Sequence, residues 1–177
     1  MAVTWDPAKT NSLVILSNNN LTAQKPTISW SNCMTKGTNS NPALKVYFEI
    51  ESNSKRDYYV GICENTCYCT SAGDIIGGES YTYYTLGDSQ PTTYRVILDL
   101  QNKIFQVYKE NTLAQNLVLN TSKTVFYPFL AMYQTGTGTI TARFKKPFKY
   151  EIPQGFLPWD YTPGPNKPDN LNGLLIK

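Results

Sequence analysis

Short runs of β-forming residues recur along the entire chain, and turn-forming clusters separate them. The runs are rich in β-branched and aromatic residues, and the clusters consist of Asn, Gly, Ser, Pro and Thr. No window of about 11 or more residues keeps the apolar spacing and capping residues of a helix. The sequence therefore predicts an all-β fold, a sandwich or a barrel. The predicted strands are residues 12–17, 20–23, 27–32, 44–52, 58–63, 81–85, 93–100, 104–110, 115–119, 125–133 and 139–144.

The clearest local prediction is a hairpin between residues 94–100 and 104–108. Side chains alternate between the two faces of a strand, so the first arm is expected to present one apolar face. The residues on that face are Tyr94, Val96, Leu98 and Leu100. Residues 101–103 supply the turn, and Asn102 is the residue expected to adopt a left-handed conformation there.

Three polar, turn-rich segments do not have the pattern of strands: residues 31–42, 64–80 and 161–177. The last follows a domain of residues 1–160 and is rich in Pro and Asn, so we expect an extended C-terminal tail that leaves the sandwich. Its apolar end needs a docking surface, either on its own sandwich or on a neighbouring subunit in a homo-oligomer. The residues expected to act in this assembly are Tyr161, Pro163, Pro165, Leu174 and Leu175.

The composition excludes several classes of function. The chain has no histidine, so it cannot contain a Ser-His-Asp or Cys-His catalytic arrangement. Its formal net charge of +3 is too small to indicate nucleic-acid binding. No apolar run reaches the roughly 20 residues of a membrane-spanning helix, and no feature indicates a cofactor. The N-terminus does not resemble a signal peptide, so we expect synthesis in a cytoplasm without membrane insertion.

The four cysteines leave three interpretations open. Cys63, Cys67 and Cys69 are clustered, and Cys33 lies apart. Structural zinc sites favour two pairs of closely spaced cysteines, which this spacing does not supply. Small buried residues with free thiols are therefore the favoured interpretation. The alternatives are a zinc site, or a disulfide from Cys33 to the cluster if the protein leaves the cell.

Several motifs, taken in order, resemble those of the SPRY family in its bacteriophage and bacterial form, over about residues 3–160. The motifs are Trp5-Asp-Pro-Ala8, Leu16-Ser-Asn-Asn-Asn-Leu-Thr-Ala23, Lys45-Val-Tyr-Phe-Glu-Ile-Glu51, Tyr59-Val-Gly-Ile62, Val96-Ile-Leu-Asp-Leu100 with Ile104-Phe-Gln-Val-Tyr-Lys109, Tyr127-Pro-Phe-Leu-Ala-Met132, and Phe144-Lys-Lys-Pro-Phe-Lys-Tyr150 with Ile152-Pro-Gln-Gly-Phe156. Three turns depart from the family pattern: Pro91-Thr-Thr93, Lys109-Glu-Asn111 and Arg143-Phe-Lys145. No binding mode is therefore carried over.

The resemblance implies an antiparallel two-sheet sandwich of the concanavalin A-like, jelly-roll type. It also implies a non-enzymatic recognition module whose partners contact loops at one edge of the sandwich. In phages such domains are similar to parts of virion surfaces and tail-associated proteins. We therefore expect a virion-associated protein, a capsid decoration, fibre or tail component, that recognises other virion proteins or a host surface protein or glycan. The alternative is an intracellular protein-interaction adaptor.

Five tyrosines flank the long loops and are the candidate ligand-binding residues for a lectin-like role: Tyr68, Tyr81, Tyr83, Tyr84 and Tyr133. Aromatic rings can stack on the apolar faces of sugars or pack on a protein partner. Alternation places Tyr81 and Tyr83 on one face of their strand and Tyr84 on the other.

The best case for an enzyme rests on Glu49 and Glu51. Two residues apart on a strand, they face the same side at a backbone separation of ~6.5–7 Å. Glycosidases place two carboxylates about 5–9.5 Å apart. The Glu-x-Asp pattern common in concanavalin-like glycan-cleaving enzymes is absent, because Ser52 and Asn53 follow Glu51. A glycan-cleaving enzyme is therefore the third and least favoured interpretation, and we expect no enzymatic activity.

Overall fold

The computed structural model describes residues 2–35, 45–133 and 135–161. The strands in chain order are β1 (Ile15–Ser17), β2 (Thr22–Gln24), β3 (Ser31–Met34), β4 (Lys45–Ser52), β5 (Tyr58–Cys63), β6 (Tyr68–Cys69), β7 (Ile75–Ile76), β8 (Ser80–Thr85), β9 (Thr92–Asp99), β10 (Ile104–Lys109), β11 (Thr112–Val118), β12 (Tyr127–Met132), β13 (Ile140–Arg143) and β14 (Leu157–Pro158). A single 3-10 turn, Pro7–Lys9, is the helical element of the described residues. No helix in the described ranges is long and apolar enough to span a membrane.

Two sheets pack face to face, which confirms the predicted all-β sandwich. The large sheet has the order β1-β2-β13-β4-β9-β10-β11, with β14 beside β4. The small sheet has the order β3-β12-β5-β8, and β6 pairs with β7 in a separate ribbon. The strand pairs are antiparallel except for the short β14–β4 pair.

Alternation along the central strands builds the core between the sheets. The predicted apolar face of β9, from Tyr94 to Leu100, is buried. Val46, Phe48 and Ile50 of β4 are buried in the same core, as are alternate residues of β5. Burying one face of each strand fixes its register, because a shift by one residue would turn the apolar side chains towards solvent.

A chain segment packs against the outer face of each sheet. Residues 145–156, which we call the strap, lie over the large sheet, where the Phe148 ring packs edge-on against Tyr47 at 5.0 Å. The β6–β7 ribbon lies over the small sheet and closes a second, smaller apolar cluster. That cluster contains Met34, Cys63, Cys67, Cys69, Phe129 and Ala131.

The structure corrects three local predictions. β3 lies in a segment predicted to be largely irregular, because pairing with β12 and burial against it outweigh its polar sequence. The β6–β7 ribbon forms inside residues 64–80, another segment expected to lack strands. In the β9–β10 turn Lys103, not Asn102, adopts the left-handed conformation, with φ of 56°. Asn102 instead donates its backbone N–H and its amide to the Asp99 carboxylate.

The predicted domain boundary at residue 160 and the tail remain predictions. Trp159 is buried, and its backbone N–H donates to Tyr47 O at 2.8 Å, so the chain is packed on the sandwich at this point. Tyr161 packs partly against the core. Pro163, Pro165, Leu174 and Leu175 lie outside the described residues.

Candidate binding surface

Four loops meet at one end of the sandwich, which we call the loop end. They are residues 25–30, 53–57, 86–91 and 133–139, of which residue 134 is outside the described residues. Backbone hydrogen bonds join them to one another, so each loop restricts the others. These bonds run from Thr135 N to Lys25 O (2.9 Å), from Tyr133 N to Asp57 O (3.0 Å) and from Asp88 N to Ser54 O (3.0 Å).

A buried lysine organises the first of these loops. The Lys25 ammonium donates to Thr27 O at 2.7 Å and to the hydroxyls of Thr27 and Ser29, each at 2.9 Å. Burial lowers the pKa of Lys25. These bonds hold the chain in a tight curve, and 68% of the Ile28 surface is exposed on it.

Four aromatic side chains form a continuous surface beside this loop. We call Trp30, Tyr59, Tyr84 and Tyr133 the aromatic platform. The Trp30 ring centroid lies 5.2 Å from that of Tyr59, 6.5 Å from Tyr84 and 5.8 Å from Tyr133. The Tyr59 and Tyr84 rings are 5.0 Å apart. The described residues leave each of the four rings at least partly exposed, so this part of the chain leaves the platform open to a ligand.

Contacts at two of its rings fix the platform. Gly73 approaches the Trp30 indole so closely that a Cβ atom there would lie 2.6 Å from Nε1. At the other side the Tyr84 hydroxyl donates to Asp57 Oδ2 at 2.9 Å. A ligand would therefore meet rings whose orientations are already set, which lowers the entropy lost on binding.

Burial and nearby carboxylates raise the pKa of two platform phenols, Tyr59 and Tyr84. Burial raises the pKa of Tyr59, and Cys69, Asp74 and Asp57 raise it further. Burial and the hydrogen bond to Asp57 raise the pKa of Tyr84. Both phenols stay neutral at physiological pH. Tyr59 can donate a hydrogen bond to a ligand, whereas the Tyr84 proton is already donated to Asp57, so Tyr84 offers its oxygen as an acceptor.

A groove of about 490 Å³ lies at the loop end, between the loops of residues 53–57, 86–91 and 133–139. Its lining includes the exposed Lys55 and Arg56, which form no ion pair with a described residue. Asp88 in the floor is buried and is paired with Lys109 Nζ at 2.8 Å. It also accepts from the hydroxyls of Tyr58 and Tyr94, so its charge is compensated internally. The exposed charge of the groove is therefore positive.

The structure brings together two of the five candidate tyrosines, Tyr84 and Tyr133. Tyr81 and Tyr83 point to the opposite face of β8, as alternation predicts, and pack at the margin of the core. Tyr68 is 51% exposed on the ribbon and has no ring contact with the platform among the described residues. Whether any of the five contacts a ligand stays a prediction.

Sequence reasoning missed Trp30 and Tyr59. Trp30 falls in a run predicted to be a strand, whereas it precedes β3 in an irregular loop. Tyr59 could have been found from alternation, because its neighbour Tyr58 faces the core and one of two adjacent strand residues must face outward. No local signal indicates that these two rings meet.

Glu49 and Glu51 have other partners. Glu49 is fully buried and accepts hydrogen bonds from the Tyr47 hydroxyl and from the N–H groups of Lys149 and Tyr150. Glu51 forms an ion pair with Arg143. Because the strap covers Glu49, its carboxylate cannot approach a substrate while the strap is in place.

All four cysteines are buried with free thiols. Burial raises the pKa of Cys33 to about 12 and that of Cys69 to about 11. A hydrogen bond with Cys63 lowers the pKa of Cys67. Within the described ranges, no three Cys, Asp or Glu side chains are grouped so that they could hold a metal ion.

Comparisons with known proteins show the fold of this chain. No family model matches the sequence, and no curated protein matches it. Among solved structures, the TRIM65 PSpry domain matches with a TM-score of 0.55 at 13% identity, over 81% of this chain and 92% of that one. The SPRY domain of human HERC1 matches with a TM-score of 0.51 at 11% identity, over 78% of this chain and 96% of that one. Stonustoxin matches at 0.51 and 17% identity over 81% of this chain and 27% of the toxin chain. The chain has a SPRY-like fold.

Proposed function

We propose that this chain is a non-enzymatic binding module and that its aromatic platform recognises a partner protein. The observation that carries the proposal is the meeting of four partly exposed aromatic side chains, from separate segments, on one preorganised surface. Tryptophan and tyrosine dominate the binding energy of protein interfaces because they bury a large area at little entropic cost.

The geometry favours a protein over a glycan. The platform rings are tilted by 43° to 53° against one another, so they form a creviced surface and not a flat one. Crevices between rings suit protruding side chains, whereas sugar rings stack on a single flat face. The exposed Ile28 and Arg56 of the loop end add the apolar and cationic groups that are common in protein interfaces.

A non-enzymatic role is supported by the positions of the charged groups. The best-placed carboxylate, Glu49, is occupied by internal hydrogen bonds under the strap. The sequence has no histidine to act as a general base near neutral pH. The SPRY-like fold of the chain agrees with this role.

The setting we propose is the surface of a virus particle, where the partner is another virion protein or a host surface protein. The low charged fraction of 16%, with many Asn, Thr and Ser residues, supports this setting. An adaptor inside a cell is the second candidate, since the same platform would serve it. Detection of the chain by mass spectrometry in purified particles supports the first setting, and its absence from them contradicts it.

The platform is tested by substitution. A Trp30→Ala, Tyr84→Ala double variant is compared with Val118→Ala, which removes an apolar side chain that is 82% exposed on the large sheet. Partners captured by the wild-type chain are identified and purified, and their affinities are measured by titration calorimetry. We expect the double variant to bind about 30-fold or more weakly and the control to bind normally. Unchanged affinity in a folded double variant would contradict the platform.

A further inference from the structure

β8 is an open edge of the small sheet. It pairs with β5 on one side, and no backbone hydrogen bond joins Ser80–Thr85 to any other described residue. Alternate N–H and C=O groups of β8 therefore have no backbone partner within the described part of the chain. Such a row is a template for another extended chain.

The opposite edge of the same sheet is closed. The N-terminal segment runs beside β3, where Asp6 N–H donates to Met34 O at 2.8 Å and Asn11 N–H donates to Asn32 O at 3.0 Å. Trp5 forms an isolated bridge with Thr35 at the same edge. The fold thus covers one edge of the small sheet with its own backbone and leaves the β8 edge uncovered by the described chain.

β8 also lacks the features by which proteins protect an open edge. It contains no charged residue, proline or glycine, and its six pairs with β5 run without a register shift. β11, the edge strand of the large sheet, differs because a bulge interrupts its pairing between Val107 and Tyr108 of β10. Bulges, charges and prolines are the usual protection against added strands.

The side chains along β8 supply contacts on both faces of an added strand. Tyr84 lies on the outer face, opposite Tyr59 in the pairing register and within the aromatic platform. Tyr81 and Tyr83 are partly exposed on the inner face at the margin of the core. Leu86, which follows the strand, is 73% exposed.

We propose that β8 binds an extended, uncharged segment of the partner protein as an additional strand, with alternate side chains of that segment on the aromatic platform. This inference rests on the proposed function, because the platform supplies the side-chain contacts and β8 supplies the backbone contacts. A polypeptide is the ligand that matches a row of alternating N–H and C=O groups, and an uncharged one matches the uncharged edge.

The test uses the full chain and peptides of about seven residues selected from a displayed random library. The tightest peptide is resynthesised as a series in which each backbone nitrogen in turn is methylated. A strand bonded to β8 donates through every second N–H only. We expect methylation at alternate positions to weaken binding at least about tenfold and methylation at the intervening positions to have a small effect. Failure to select any peptide, or losses without alternation, would overturn the proposal.

The same peptide separates this proposal from the platform proposal. Alternating losses with normal binding to the Trp30→Ala, Tyr84→Ala variant would support backbone pairing with β8 and contradict side-chain contact with the platform. Losses without alternation, together with weak binding to that variant, would leave the platform intact and overturn strand addition.

Two other occupants of the edge are separate outcomes. Sedimentation of the chain alone would reveal a dimer, and dissociation of that dimer by the selected peptide would assign β8 to a second copy. A synthetic peptide of residues 170–177 that competes with the selected peptide at equal concentration would assign β8 to the chain's own C-terminus. Either result would overturn a foreign partner as the natural occupant.

Discussion

At the scale of single residues, one buried carboxylate explains how the strap is held on the large sheet. The Glu49 carboxylate accepts a hydrogen bond from the Tyr47 hydroxyl at 2.7 Å. It also accepts hydrogen bonds from the backbone N–H groups of Lys149 and Tyr150, at 2.8 and 2.9 Å. A buried charge is tolerated when several donors surround it. The residue that resembled one half of a glycosidase pair thus has a structural role in this fold.

Replacing Glu49 by Gln keeps the shape and removes the charge. The new amide would turn a donor towards backbone N–H groups that need an acceptor, so we expect a loss of about 2–4 kcal/mol in the free energy of unfolding. Urea denaturation measures this change in the free energy of unfolding. Glu51→Gln is the matched control, because the Glu51 side chain is 41% exposed and its ion pair with Arg143 lies near the surface. The control should lose less than about 1 kcal/mol. Equal stability of the two variants would contradict this role of Glu49.

At the scale of secondary-structure elements, the pairing of β5 with β8 joins the core to the binding surface. Alternate residues of both strands face the core, and the others face the platform or the ribbon. Gly61 of β5 allows this pairing, because a Cβ atom there would lie 2.1 Å from Tyr81 O and 2.8 Å from Thr82 Cα. The close approach requires the absence of a side chain.

Gly61→Ala should therefore displace β8. We expect a loss of about 2 kcal/mol or more in the free energy of unfolding, because backbone atoms cannot move aside as a flexible side chain can. Binding of the selected peptide should weaken in the same variant. Gly136→Ala is the control, since no atom lies within 4 Å of a Cβ atom there and only its φ of 60° disfavours alanine. A milder effect at Gly61 than at Gly136 would show that β8 adapts to the added methyl group.

At the scale of the whole molecule, the core holds many groups that ionise only in alkali. Burial raises the pKa of the thiol of Cys33 to about 12, and burial also raises the pKa of Tyr58 and of Tyr94. These hydroxyls and thiols are neutral in the folded chain at physiological pH. The fold therefore tolerates them without opposing charges.

This arrangement predicts an alkaline limit to stability. The folded pKa of Cys33 lies above its unfolded value of 9.0, so its contribution to stability is complete below pH 9 and is lost as the pH rises towards 12. One such group changes the free energy of unfolding by up to about 1.4 kcal/mol per pH unit in that window. Thermal unfolding between pH 7 and 11 measures this change in stability. In the Cys33→Ala variant, the free energy of unfolding should fall less steeply above pH 9. An unchanged dependence on pH would assign the loss of stability to other groups.

The candidate site was predictable only in part, because its residues come from four separate segments. The tyrosines of β8 were identified from their position beside long loops, and alternation correctly separated Tyr84 from Tyr81 and Tyr83. Trp30 and Tyr59 lie 29 positions apart in the sequence. Their contact depends on the pairing of β3, β12 and β5, which no local pattern specifies.

The sequence by itself determined the all-β class, most of the long strands and the buried face of β9, because strand alternation and turn chemistry act over a few neighbouring residues. Tertiary structure alone decided the strand order and the formation of β3 and of the β6–β7 ribbon, whose short segments become strands only beside a partner. It also decided the burial of Glu49 under the strap and the assembly of the aromatic platform. These features depend on contacts between residues far apart in the chain, and the free energy of such contacts arises only when the sheets pack.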